Sequence, residues 1–326
     1  MKSVARAVAV PLVLGSLAGV FAPQASAQTF PVKPVRIVNP AAPGGNSDIF
    51  FRLLQPKMSE VLGHPIVMDY RPGAGGTVGG EAIARAAPDG YTTGIMAASF
   101  VINPAMIRKM PYDTAKDFTA LGLMVDVPTG LVVHPSLPAR NVKQLVALAK
   151  AKPGQIFYST SGRGTVGHLA AELLNSSAGI KLVHVPYKGA GPAVIDLVAG
   201  QIQLQFASIP LLVGHIQAGK LRMIAQTGAK RAAIAPDVPT MVESGIPGFI
   251  VRSPFGFAGP AGIPKPIVDK LNLALVTAIR HPDNHKALIA NGAEPLGSTP
   301  EEHAASIKSE IEQWKKVAKD ANIDPQ

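Results

Sequence analysis

The chain has 326 residues, of which 47% are hydrophobic and 16% charged, with a formal net charge of +10. A chain of about 300 residues exceeds what one core usually supports, so two domains are expected. There is no cysteine, and the eight histidines show no HxxH or HExxH spacing, so neither a disulfide framework, a lipid-bearing Cys, a metal site nor a cofactor is expected. The densest basic cluster, Lys315, Lys316 and Lys319, lacks the interleaved aromatics of a nucleic-acid surface, which excludes nucleic acid as the partner.

The first 27 residues read as an export signal. Lys2 and Arg6 make a basic start, residues 7–22 are almost wholly apolar, and Ala25-Ser26-Ala27 is a small-residue cleavage site. The apolar stretch contains Pro11 and Gly15 and falls short of the roughly 20 residues a spanning helix needs. Cleavage after Ala27 is expected to leave a mature chain starting at Gln28, in the periplasm.

Beyond the leader, β-branched runs alternate with helical stretches as far as residue 224, beginning with a strand at 35–38, a helix over 49–62 and a strand at 66–68. That alternation predicts parallel βαβ units and an α/β class. A helix over 141–152 is marked by Asn141 as cap, Gln144 three positions on and the stop at Pro153-Gly154. There follow a strand at 156–158, a Gly-rich turn, a helix over 165–176, a strand at 182–185, a helix over 192–199 and a strand at 202–206. The carboxyl end turns helical, over 264–280 and then 300–320, where Thr299, Pro300 and Glu302 supply an N-cap, a first-turn proline and the return carboxylate of a capping box.

Two segments place a Gly-containing turn between a strand and a helix. One carries Gly44, Gly45, Asn46, Ser47 and Asp48; the other carries Ser161, Gly162, Arg163, Gly164 and Thr165. Glycine lets backbone approach a ligand, and the free N–H groups and dipole at a helix start attract an anion, so each is a candidate carboxylate cradle. Such turns also occur without any ligand. His168 lies near Ser161 in sequence, but a Ser/His hydrolase needs a third orienting group and a GxSxG elbow, which is absent, so His168 is read as orienting the Gly loop. Gly73 to Gly79 lacks the Walker Lys and the distant acidic residue of a dinucleotide loop and is read as a structural turn. Tyr187 and Lys188 follow a strand and offer a hydroxyl and a cation; Trp314 is read as packing.

The runs Pro34-Val35-Arg36-Ile37-Val38, Ala42-Pro43-Gly44-Gly45 with Asp48, Arg71-Pro72-Gly73-Ala74-Gly75-Gly76, Pro88-Asp89-Gly90-Tyr91-Thr92 and His184-Val185-Pro186-Tyr187-Lys188-Gly189 resemble those of the Bug-type receptors. These are the extracytoplasmic substrate-binding components of tripartite tricarboxylate transporters. The resemblance continues through Gly219-Lys220-Leu221-Arg222, Pro236-Asp237-Val238-Pro239-Thr240 and Gly292-Ala293-Glu294-Pro295. It implies a two-domain α/β periplasmic-binding-protein type II (Venus flytrap) fold whose chain crosses twice between domains. Residues 28–127 with 247–326 would form domain 1 and residues 128–246 domain 2.

Carried over, the resemblance puts Gly44, Gly45, Asn46, Ser47 and Asp48 on one jaw. It puts Ser161, Gly162, Gly164, Thr165 and His168 on the other; Arg163, between the two glycines, and Tyr187, after its strand, are added as candidate ligand contacts from their own chemistry. Arg163 meets an outer carboxylate or points to solvent. The expected ligand is a small organic acid and the expected partners are membrane permease subunits, with the receptor a monomer and no chemistry on the ligand. Family members usually carry Phe where Ala41 stands and commonly Asp where Ala207 stands, which favours a dicarboxylate or aromatic carboxylate without an amine. An exported hydrolase using Ser161 and His168 is the alternative.

Overall fold

The computed structural model describes residues 30–325, so the export signal and its cleavage after Ala27 lie outside the described residues. The strand at β1 (Val35–Asn39) buries Val35, Ile37, Val38 and Asn39. It leads through a Gly turn into α1 (Asn46–Leu62), whose Phe50, Phe51, Leu54, Met58 and Leu62 recur at helical spacing and form its buried face. The helix stops at Gly63, which takes the left-handed conformation.

Next come β2 (Ile66–Tyr70), α2 (Thr77–Ala84), β3 (Thr92–Met96), α3 (Ser99–Met106) and β4 (Phe118–Asp126). The middle of the chain supplies β5 (Thr129–Val133), α4 (Val142–Ala151), β6 (Ile156–Thr160), α5 (Val166–Ala178) and β7 (Leu182–Pro186). It continues with α6 (Ala190–Val198), β8 (Leu204–Ser208), α7 (Ile209–Gln217) and β9 (Arg222–Gln226). The chain closes with β10 (Pro254–Pro260), α8 (Lys265–Arg280), α9 (Pro282–Ala290), β11 (Glu294–Pro295) and α10 (Pro300–Asp320). Asn141 caps α4 and Thr299 with Glu302 forms the capping box of α10, as their spacing predicts. The strand predicted at 202–206 is displaced to Leu204–Ser208, and α9 has no counterpart among the predicted elements.

The strands form two sheets, one ordered β11-β4-β10-β3-β1-β2 and the other β7-β6-β8-β5-β9. They share a plan. In the first, β1 pairs parallel with β2 and β3, and β10 inserts antiparallel between β3 and β4. In the second, β6 pairs parallel with β7 and β8, and β5 inserts antiparallel between β8 and β9. Each inserted strand is the first one made after the chain changes sheets, so the molecule is a two-domain α/β protein with two crossings.

The crossings run side by side. Val127 N–H donates to Ser253 O at 3.1 Å, and the Asp126 carboxylate accepts from Ser253 N–H at 2.8 Å and from Arg252 Nε at 3.0 Å. Helix α10 packs against both α3 and α5, and one apolar cluster joins Ile311 and Trp314 to Phe100 on one side and Leu174 on the other. A short two-stranded connection braced by one helix lets two rigid units change their angle without unfolding either.

Candidate functional site

A cleft of about 910 Å³ lies between the two sheets, and its walls are largely the starts of helices. Asn46 contributes from α1, Ala74 and Gly75 from the turn before α2, and Ser99 from α3. Opposite them stand Thr165 and Val166 at α5, Ala190 at α6, and Ser208 and Pro210 at α7. The caps of these helices, Gly45, Gly76, Ala98, Thr165, Gly189 and Ser208, make no side-chain capping hydrogen bond. Of the helices that do not border the cleft, α4 and α10 are capped by Asn141 and Thr299, while α8 and α9 also lack a side-chain cap. Backbone carbonyls take up some of the first-turn N–H groups, as Gly45 O does for Asp48, Ala97 O for Phe100 and Pro128 O for Ile209; those without such a partner are open to another acceptor, and the aligned dipoles favour negative charge. Among the described lining residues, Arg163 is the sole ionised side chain, so one cation and no carboxylate faces the space.

The loop after β1 is held by Asp48. Burial opposes the ionised form, but the Tyr70 hydroxyl, the Gly44 N–H and Arg52 outweigh it and hold the carboxyl below the usual carboxylate range. Its oxygens accept from Tyr70 Oη at 2.5 Å, Gly44 N at 2.9 Å and Arg52 Nε at 2.9 Å. Ser47 is likewise buried and donates to Asn39 Oδ1 at 3.0 Å. Of the residues expected on this jaw, Asn46 lines the cleft; Gly44, Gly45, Ser47 and Asp48 do not. Gly44 shapes the turn at a φ of +82°, in the region where a side chain is strained.

On the second jaw Ser161, Arg163, Gly164 and Thr165 line the cleft, whereas Gly162, His168 and Tyr187 do not. Thr165 Oγ1 donates to Gly162 O at 2.9 Å, and Gly164 N–H donates to His168 Nδ1 at 3.3 Å. The His168 ring stacks on His184 with centroids 4.1 Å apart, and His184 in turn stacks on Tyr158 at 4.9 Å. His184 Nε2 lies 2.7 Å from Thr160 Oγ1, which accepts from Gly162 N–H. Burial, with Arg163 adding to it, pushes His168 down to about 4. Burial and the neighbouring His168 do the same to His184. Both rings are neutral at ordinary pH and fix the loop from beneath. Among the described contacts none joins Ser161 to His168, and because Nδ1 accepts from Gly164 N–H the neutral ring carries its proton on Nε2, leaving no free lone pair for a base. Tyr187 Oη donates to Asp196 Oδ2 at 2.6 Å, anchoring α6.

Sequence reasoning missed much of the wall. Ala74 and Gly75, read as part of a structural turn, border the cleft, as do Ser99 and Asn103 on α3 and Ser208 at α7. The available signal was the small or polar residue directly after each buried strand, which needs no glycine to end a βα unit. Gln205, only 2% exposed, also borders the cleft and its Oε1 has no partner among the described residues. A buried acceptor of this kind costs about 1–3 kcal/mol until water or a ligand donor meets it.

Residues 50–323 match the family model described as the tripartite tricarboxylate transporter family receptor. Protein BugT of Bordetella pertussis is 34% identical over 305 residues, 93% of each chain. Among solved structures, an R. palustris protein with adipate is 34% identical with a TM-score of 0.77, covering 91% of this chain and 100% of its own. MatC from Rhodopseudomonas palustris with bound malate is 33% identical with a TM-score of 0.72, covering 88% of this chain and 99% of its own.

Proposed function

Because the chain belongs to the tripartite tricarboxylate transporter receptor family, we propose that it captures a small organic acid outside the cytoplasmic membrane and delivers it to membrane permease subunits of such a transporter. The observation that carries this reading is the convergence of helix starts without side-chain caps, from both sheets, on one cleft whose only ionised wall residue among the described residues is Arg163. Like its family, the protein is a receptor and leaves its ligand unaltered. The division into residues 28–127 with 247–326 against 128–246 gives each jaw one of the two Gly-containing loops. Asn46, Ser161, Arg163, Gly164 and Thr165 hold the acid, and Gly44, Gly45, Ser47, Asp48, Gly162, His168 and Tyr187 build and brace the loops that present them.

The ligand is a dicarboxylate or an aromatic carboxylate, and an amine is disfavoured because no carboxylate lines the cleft among the described residues. The relatives solved with adipate and malate support acids of this class. Among the described residues no helix is long and apolar enough to cross a membrane. An export signal over residues 1–27, cleaved after Ala27, would place the receptor in the periplasm.

The test is thermal unfolding of the mature protein against a panel of aliphatic dicarboxylates, hydroxy acids and aromatic acids. An acid at 100 times its dissociation constant stabilises the folded state by about 2.7 kcal/mol, which raises the midpoint by several degrees at this size. A panel without any shift would sink the proposal.

A further inference from the structure

The run Gly292-Ala293-Glu294-Pro295 takes no part in the cleft wall, yet here the unit of the first sheet touches a helix start of the second unit. Gly292 follows α9 at a φ of +77°; its N–H donates to Ile289 O at 2.8 Å, and Ala293 N–H donates to Leu288 O at 3.0 Å. Pro210, in the first turn of α7, lies against this bare backbone. A Cβ on Gly292 would stand 2.1 Å from Pro210 Cγ and 2.7 Å from Pro210 Cβ, far inside ordinary van der Waals contact. Among the described glycines one other faces the opposite unit, Gly164, and a Cβ there would keep 3.4 Å from Met106.

Both partners of the tight contact are tied to the crossings. Glu294 and Pro295 pair with Asp126 and Val125 of β4, and Asp126 holds Arg252 and Ser253 of the other crossing. Burial and Asp126 raise the Glu294 carboxyl above the usual carboxylate range, and Lys230 and the Ala233 N–H, both from the second unit, partly offset them. A second side chain of the same run therefore meets the opposite unit. On the α7 side, Ile209 N–H donates to Pro128 O at 2.9 Å, which fastens the helix start to the chain as it leaves the first crossing. The contact thus lies near the axis about which the units turn, where a small displacement becomes a larger one across the cleft. The α7 start that it supports carries Ser208, Pro210 and Leu211 into the cleft wall.

Resting on the receptor reading above, we infer that Gly292 and Pro210 are a positioning pair for capture of the acid. The turn after α9, bare of a side chain, is the stop on which the α7 start rests, and it sets the angle between the units and so the width of the cleft. Gly292 does this without touching the acid.

The test separates the clash from the backbone strain. Gly292→Ala brings both, whereas Gly63→Ala, at a φ of +73° where α1 ends and with nothing within 4 Å, brings strain alone. Pro210→Gly removes the ring, so adding Gly292→Ala to that background brings strain without the clash. Because the chain has no cysteine, Ile195→Cys on α6 and Leu273→Cys on α8, both exposed, take spin labels whose separation reports the angle between the units in the mature, ligand-free protein. Calorimetry with adipate, malate and every other acid that shifts the wild-type midpoint reads the affinity, and unfolding midpoints check that each variant folds. Gly292→Ala is expected to shift the label separation and to weaken binding by at least about fivefold. Gly63→Ala, and Gly292→Ala measured against its Pro210→Gly background, should leave the separation in place and the affinity within about twofold. An unshifted separation or unchanged affinity in Gly292→Ala, an equal effect of Gly63→Ala, or an effect that persists without the ring each overturns the inference. A panel in which no acid binds removes the receptor reading, and the label separations then decide by themselves whether Gly292 and Pro210 set the angle.

Discussion

Arg163 is exposed, borders the cleft and pairs with no carboxylate among the described residues. A charge-assisted hydrogen bond contributes about 1.5–3 kcal/mol, so Arg163→Gln is expected to weaken the tightest acid of the panel by about tenfold or more. The wild-type affinity should also fall with added salt more steeply than that of the variant. An unchanged affinity in calorimetry would place the guanidinium in solvent. The histidines give a separate prediction for the empty protein. Burial holds His168, His184 and His303 at about 4, against an ordinary value of 6.5. Each therefore takes up its proton more readily in the unfolded chain between those two values. Their contribution to stability is complete above pH 6.5 and is lost as the pH falls toward 4. Urea midpoints measured from pH 7.5 down to about 4.5 should decline over that span, and a flat profile would contradict neutral burial of these rings.

At the scale of elements, the second jaw depends on how closely α5 lies against β8. A Cβ at Gly167 would stand 2.4 Å from the Phe206 carbonyl oxygen, a backbone atom that cannot rotate away. Gly167→Ala must push the helix start off the sheet, at a cost of about 1–3 kcal/mol by the usual range for overpacking. Because Val166 and Gly167 themselves border the cleft, affinity should fall along with the melting temperature. Thr299→Ala is the matched control. It removes the capping box of α10, costing about 1 kcal/mol, at a helix start that does not border the cleft, so affinity should hold. Equal loss of affinity in both variants would mean that global stability, and not the α5 start, limits binding.

For the whole molecule, closure around a ligand has to turn one unit against the other at the paired crossings, while α10 stays packed on both α3 and α5. Trp314, the only tryptophan, is 1% exposed within that packing, and its Nε1 has no partner among the described residues. Its emission should shift or change intensity when a binding acid is added. Calorimetric binding with a silent Trp314 would show that closure leaves this contact untouched.

The α/β class, the caps of α4 and α10, the two Gly-containing loops and the family were all legible in the sequence, because periodicity, cap chemistry and short motifs are local. What each polar side chain faces was not local. Asp48 stands in a cradle motif, yet Tyr70 and Arg52 draw its carboxylate away from the cleft, and Tyr70 comes from a different strand. The walls at α3 and α7 carry no glycine signature, and they join the cleft only because the two sheets bring those helix starts together. From the sequence, two Gly-containing helix starts could be named as candidate anion cradles, because a strand, a glycine turn and a helix start are local signals. Which of their polar groups border the cleft depends on tertiary contacts, since a group such as the Asp48 carboxylate is drawn away once distant partners satisfy it.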